Sequence, residues 1–266
     1  MKAAFYYLAF GDPAASCCAL AAKSLRQAGW DGELLIVTDR TRSLYGENKV
    51  RQIEVPDGVI NLNPSYKGSP CEIDVRFLHN SNIEKFAICY LKPMLYRWVD
   101  LSDYGLVLFS DVDVLANKPV DETISRAFRA KPPFVVAKNR RPLPKTKSCN
   151  ANLSGWEKLK WGRKTSISSG FFSIVPCKAT LALLKEWETE CLKGIHGDQA
   201  ALQAVILRKF QRVTAYFPYY ILGYGPGWKE FQRNETIAFV DSAFVHFQGA
   251  IRHPNAMELY YSRFLR

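Results

Sequence analysis

The chain opens on two apolar strands joined by a helix, and no other stretch constrains its fold as tightly. Ala3 to Ala9 carries no charge and is followed by Gly11-Asp12-Pro13, which stops the run. Asp12 predicts an N-cap, Pro13 the first helical position, and the apolar-rich segment to about Gln27 a helix closed by Gly29. Leu34-Leu35-Ile36-Val37-Thr38 then reads as a second buried strand. Strand, helix and strand in so short a span imply parallel pairing by a right-handed crossover, and therefore an α/β sheet with helices on its faces. At 266 residues with 48% hydrophobic content the chain can bury a sizeable core. With no internal repeat or low-complexity tract visible, residues 1–266 read as one domain with a variable C-terminal part.

A later apolar run, Leu106-Val107-Leu108-Phe109-Ser110, leads into Asp111-Val112-Asp113 and then Val114-Leu115. In an extended chain Asp111 and Asp113 point to one side with Val112 turned away. Both carboxylates can then meet one hard divalent cation such as Mn²⁺ or Mg²⁺. Burying them together without a cation is costly, because close like charges resist ionising together. The competing reading is a strand whose solvent face carries two aspartates.

The net charge of +11 favours an anionic partner: nucleotide phosphates, an acidic glycan, an anionic membrane face or nucleic acid. Seven scattered cysteines without a C-x-x-C pair argue against a disulfide framework or a thiolate zinc site, and for a reducing compartment. The first apolar run is too short for a convincing signal peptide, and no run reaches the ~20 residues of a membrane span. In such a compartment the sequons at Asn152 and Asn234 have no meaning.

Residues 41–75 look loop-rich, with Pro56-Asp57-Gly58 as a turn. Glu84 to Trp98 reads as a helix with Pro93 inside it, which implies a kink there or two short helices. After Pro119 a short helix leads to the strand Phe134-Val135-Val136-Ala137. Residues 138–164 hold nine Lys or Arg against one acid, Glu157, with Trp156 and Trp161 between them, and read as a surface excursion. Strand pattern returns at Ser168 to Val175, a helical stripe runs through Leu181, Leu184, Trp187 and Cys191 to Gly194, and another helix opens at Asp198.

Four landmarks now stand in order: Asp111-Val112-Asp113, Ser168-Ser169-Gly170, Gly197-Asp198-Gln199 and Val245-His246-Phe247-Gln248-Gly249. In them, over roughly residues 3–254, the chain resembles the GT-A-fold nucleotide-sugar glycosyltransferases. It is most similar to family 8, the retaining group that includes glycogenins and bacterial lipopolysaccharide galactosyl- and glucosyltransferases. The resemblance implies a GT-A fold, a Rossmann-like, mostly parallel sheet flanked by helices. It also implies Mn²⁺ (or Mg²⁺) held by Asp111, Asp113 and His246, and a UDP-hexose donor. The family's late motif H-F-x-G-x-x-K-P, whose lysine meets the donor diphosphate, places Gly249 and Arg252 at that group. Arg252 keeps the cation, while His253 stands where proline is usual. Asp198 is implied to hold donor-sugar hydroxyls and Gln199 to lie beneath the anomeric carbon; the alternative for Asp198 is an ordinary N-cap. Ser168 stands where the family usually has Asn. Asp12 is the single acid in the expected nucleotide turn, and Lys92 falls near a donor-contacting lysine, although basic residues on a helix are more often a solvated face.

Two rival readings remain. In haloacid-dehalogenase-like phosphatases a D-x-D also follows an apolar strand, and Asp111 would be a nucleophile; here the usual Gly-Thr after the motif and a late pair of acids are missing. A basic nucleic-acid-binding module could use 138–164, but no DNA- or RNA-binding signature accompanies it. The expected partners are thus a nucleotide sugar and a glycan or lipid-linked acceptor of envelope polysaccharide or lipopolysaccharide synthesis. The expected location is cytoplasmic, peripheral at the inner membrane face. The basic stretch and the tail Tyr260-Tyr261-Ser262-Arg263-Phe264-Leu265-Arg266 read as anionic-membrane anchors. The competing reading is an acceptor-binding lid and a docked tail.

Overall fold

A computed structural model describes residues 2–39, 48–55, 59–60, 73–74, 89–120, 124, 133–143, 152–192, 197–225, 238–248 and 255–265. These fall into two compact units, one of residues 2–54, 109–131 and 217–266, the other of 55–108 and 132–216.

In the first unit β1 (Ala3–Ala9), β2 (Glu33–Thr38) and β3 (Val50–Glu54) pair in parallel, with Phe5 opposite Leu34 and Leu34 opposite Val50. The crossover helix α1 (Gly11–Gln27) lays Ala14, Ala15, Cys17, Cys18, Ala21, Ala22 and Leu25 in the core. Small side chains on that face let helix and sheet approach closely. The helix starts earlier than expected: Phe10 is the N-cap and Asp12 lies exposed in the first turn, so Asp12 does not cap. Its other end is as expected. Gly29, at φ +86°, donates to the Arg26 carbonyl at 3.1 Å and Trp30 to that of Leu25 at 3.0 Å, a Schellman closure in the left-handed region that suits glycine. The polar strand β3 falls in the stretch expected to be loop. It ends the sheet, and an edge strand needs no apolar alternation.

The second unit contains the short antiparallel pair β4 (Val59–Ile60) and β5 (Ile73–Asp74), and the longer strands β8 (Phe134–Pro142) and β9 (Thr165–Ile174) with β10 (Thr214–Tyr216). β8 runs antiparallel to β9 and parallel to β10. Residues 138–142 therefore continue a strand, and only part of 138–164 is an excursion. Its described remainder includes a short helix, α2 (Gly155–Trp161). Two further helices follow, α3 (Lys178–Leu192) and α4 (Asp198–Val205). Along α3, Leu184, Trp187 and Cys191 are buried as expected, but Leu181 is exposed and Leu183 takes its place inside. The expected kinked helix is, in its described part, a run of 3₁₀ turns over Lys92–Arg97. The helix expected after Pro119 lies largely outside the described residues.

Strand β6 (Leu106–Ser110), entirely buried, completes a seven-stranded sheet in the order β10-β8-β9-β6-β1-β2-β3. Past β6 the chain turns and enters a smaller sheet of β7 (Val114–Ala116), β12 (Phe244–His246) and β11 (Leu222–Tyr224). The C-terminal segment is a docked helix, α5 (Asn255–Phe264), with Tyr260 and Tyr261 buried. The Tyr261 hydroxyl donates to Gln27 Oε1 at 2.5 Å, and that of Tyr260 accepts from the Val240 N–H at 3.1 Å. These tyrosines hold the tail to its own unit, which corrects their assignment as membrane anchors.

Candidate functional site

Asp111, Asp113 and His246 each present a ligand atom within 4.8 Å of one another. His246 Nε2 lies 3.1 Å from Asp113 Oδ1 and 3.9 Å from Asp111 Oδ2. The convergence is built by the small sheet. His246 is in register with Val114, the residue after Asp113, and the Phe247 N–H donates to the Asp113 carbonyl at 2.8 Å. On its other side β12 pairs with β11, where the Tyr224 ring stacks on the His246 ring with centroids 5.7 Å apart. The two aspartates do not share a side through strand alternation. Strand β6 ends at Ser110, and the pair sits in the turn leading to β7. A turn carrying carboxylates past a buried strand end is the usual position for ligand contact in α/β sheets.

The donor set is two carboxylate oxygens and one imidazole nitrogen. Asp113 and His246 are buried and Asp111 is half-buried. Oxygen donors with a single nitrogen suit Mn²⁺ or Mg²⁺ rather than a thiolate-seeking metal. The residues therefore fit a hard divalent cation.

In the same unit the carboxyl ends of β1 and β2 lie side by side, with Ala9 opposite Thr38. The Gly11 N–H there donates to Asp39 Oδ1 at 3.4 Å, and the Thr38 hydroxyl donates to the same oxygen at 3.2 Å. Asp39 was passed over in the sequence. The available signal was an acid directly after an apolar strand, next to the turn that carries Asp12.

The second unit gathers the other candidates. Asp198 is the first residue of α4 and does not cap it, since Gly197, at φ +47°, holds the N-cap position. The Asp198 carboxylate instead meets Lys92 Nζ at 3.1 Å, and both side chains are buried. Lys92 is therefore not on a solvated face. The Asp198 carbonyl accepts from Trp187 Nε1 at 2.8 Å, which ties the helix start to the core of α3. Burial foremost, with the Asp198 carboxylate adding, pushes the nearby Tyr90 hydroxyl up to about 12, so it stays protonated. Gln199 Oε1 accepts from the Ser169 N–H at 3.4 Å, and the Ser168 hydroxyl accepts from the Gly170 N–H at 3.4 Å. Lys92, Asp198, Gln199 and Ser168 thus belong to one unit, the acid cluster and Asp12 to the other. Gly249 and Arg252 lie outside the described residues.

No protein-family model and no curated protein sequence matches the chain. Solved structures do. The galactosyltransferase LgtC, in complex with donor and acceptor sugar analogues, matches with a TM-score of 0.53 and 16% identity, over 92% of this chain and 87% of its own. An active-site mutant of LgtC gives 0.51 and 14%, over 96% and 95%. Mouse xyloside xylosyltransferase 1, in its apo form, gives 0.59 and 12%, over 94% and 99%. With identities this low the likeness is one of architecture, and the architecture it identifies, a mostly parallel sheet flanked by helices, is the GT-A fold of glycosyltransferases.

Proposed function

We propose that the protein is a divalent-metal-dependent glycosyltransferase that moves a hexose from a nucleotide-diphosphate donor, with UDP as the nucleotide, to a hydroxyl acceptor. The observation that carries this reading is the convergence of Asp111, Asp113 and His246 on a GT-A fold. LgtC with its sugar analogues supports a nucleotide sugar and a glycan as the two substrates. One domain is taken to perform the whole reaction, acting from the cytoplasmic side on a lipid-linked or cell-envelope glycan. Among the described residues no helix is long and apolar enough to cross a membrane.

Asp111, Asp113 and His246 would hold Mn²⁺ or Mg²⁺. A cation held by these three side chains would supply charge neutralisation for the departing diphosphate. Asp39 and the Gly11–Asp12 turn suit the nucleoside, because they lie at adjacent carboxyl ends of parallel strands. Arg252, with a planar fork matched to phosphate oxygens, is assigned with Gly249 to the diphosphate. Asp198, oriented by Lys92, is assigned to donor-sugar hydroxyls, and Ser168, on β9 of the same unit, to donor binding. Gln199, its amide oriented by the Ser169 N–H, is assigned to the reacting carbon. Retention of configuration follows from the family resemblance.

The test is incubation with Mn²⁺ and a panel of nucleotide sugars while following slow donor hydrolysis and transfer to simple sugar acceptors. Metal-dependent turnover of one donor is expected, lost in Asp113→Ala without a fall in melting temperature and reduced less in His246→Ala. Turnover of an aryl phosphate with no donor hydrolysis would assign the chain to a phosphatase instead.

A further inference from the structure

Among the described residues, the contacts that pin the short helix α2 to its unit lie on one side. Its first turn is closed by a capping box, in which the Glu157 N–H donates to Ser154 Oγ at 3.3 Å and the Ser154 N–H to Glu157 Oε2 at 2.8 Å. Trp161 is buried with Leu143, Leu153, Ala204 and Leu207. Glu157, one turn earlier on the same face, takes both arms of Arg208, at 2.7 Å from Nε and 3.0 Å from Nη2. Arg208 is itself held by Glu190 at 3.1 Å and by the Asn152 carbonyl at 2.8 Å.

The opposite face carries Trp156 at 72% exposure and Leu159 at 76%, the two most exposed large apolar side chains among the described residues. Lys158, Lys160, Arg163 and Lys164 are exposed around them. The single acid of the helix is turned inward and occupied by Arg208. The outcome is a fixed ledge bearing an aromatic ring, an aliphatic side chain and four cations, with no exposed acid of its own.

We propose that this ledge docks on an anionic phospholipid surface. A nucleic acid could use the cations and the indole, but Leu159 can neither stack on a base nor bond a phosphate. A bilayer uses every member: the indole at headgroup level, the leucine at the acyl boundary, and the lysines reaching back to the phosphates. A dense anionic leaflet is also the partner whose charge complements four cations. The docking involves none of the residues assigned to donor or metal, so it stands or falls separately from the proposed reaction. Where that reaction is borne out, the acceptor would be presented at the membrane face.

The experiment is co-sedimentation of the full chain with vesicles of phosphatidylglycerol and phosphatidylcholine, against phosphatidylcholine alone, at low and high salt. Binding to the anionic vesicles is expected, weakened by salt. Each neutralised cation should cost about fivefold in affinity, read in Lys158→Gln and Lys160→Gln. The pair Trp156→Ser with Leu159→Ser should lose at least about tenfold with an unchanged urea midpoint, since both side chains are exposed. Failure to sediment at low salt, or full binding by the Trp156 and Leu159 variant, overturns the proposal. So does binding to a single-stranded oligonucleotide, lost in that variant, in the absence of vesicle binding.

Discussion

Replacing Lys92 by Met removes one half of a buried ion pair and leaves the other half in place. Lys92 Nζ and Asp198 Oδ2 stand 3.1 Å apart, with side chains only 5% and 11% exposed. At an effective dielectric constant of about 20, two unit charges at that distance attract by about 5 kcal/mol, most of it offset by the desolvation of both groups. Removing one partner is a different perturbation, because the stranded charge keeps its desolvation penalty, and such changes cost about 3–5 kcal/mol. Asp198 begins α4, where the helix dipole returns about 0.3–1 kcal/mol to a carboxylate. The expected loss for Lys92→Met is therefore about 2–4 kcal/mol. Adding Asp198→Leu should recover most of it, since an apolar pair of similar volume often matches a buried ion pair. Urea unfolding at pH 7 followed by tryptophan fluorescence measures both, with Trp187 as a local reporter bonded to the Asp198 carbonyl. A single-variant loss below about 1 kcal/mol, or a double variant no better than the single, would refute the reasoning. The double variant also separates fold from ligand: folded protein without donor binding places the pair at the donor, and unchanged binding places it in the architecture.

Gly225→Ala tests how the metal cluster is assembled, because a Cβ there would lie 2.6 Å from the buried Phe247 ring, beside His246. A loss of about 1–3 kcal/mol is expected, together with weaker Mn²⁺ binding by titration. Glu157→Gln should lower the urea midpoint at pH 7, because Arg208 foremost holds this carboxyl down at about 2. A depressed folded-state pKa contributes stability above the ordinary carboxylate range and loses it as pH falls through the folded value, so parent and variant should converge between about pH 4.5 and 2. After solvent screening the difference at pH 7 should be about 1–2 kcal/mol. Gln199→Ala should lower turnover more than nucleotide binding; equal losses with a reduced melting temperature would favour a purely structural role against Ser169.

The parallel core could be read directly from the chain. Strands buried on both faces must be continuous apolar runs, and Ala3–Ala9, Leu34–Thr38 and Leu106–Ser110 are such runs, separated by a helix with its Gly29 stop. The carboxylate pair was legible because charge directly after such a run has few structural uses. The polar edge strand β3 was not legible, since solvent on its open side removes the alternation that marks a half-buried strand. Tertiary structure alone decided that Lys92 is buried against Asp198, because nothing local distinguishes a paired lysine from a solvated one. It also turned Tyr260 and Tyr261 inward on α5 while Trp156 and Leu159 face solvent on α2, although both segments mix aromatics with cations. Composition sets how much apolar surface a segment carries. Only the neighbours brought in from distant positions, Asn117 and Gln27 for the tail and Arg208 for α2, fix which of that surface is covered.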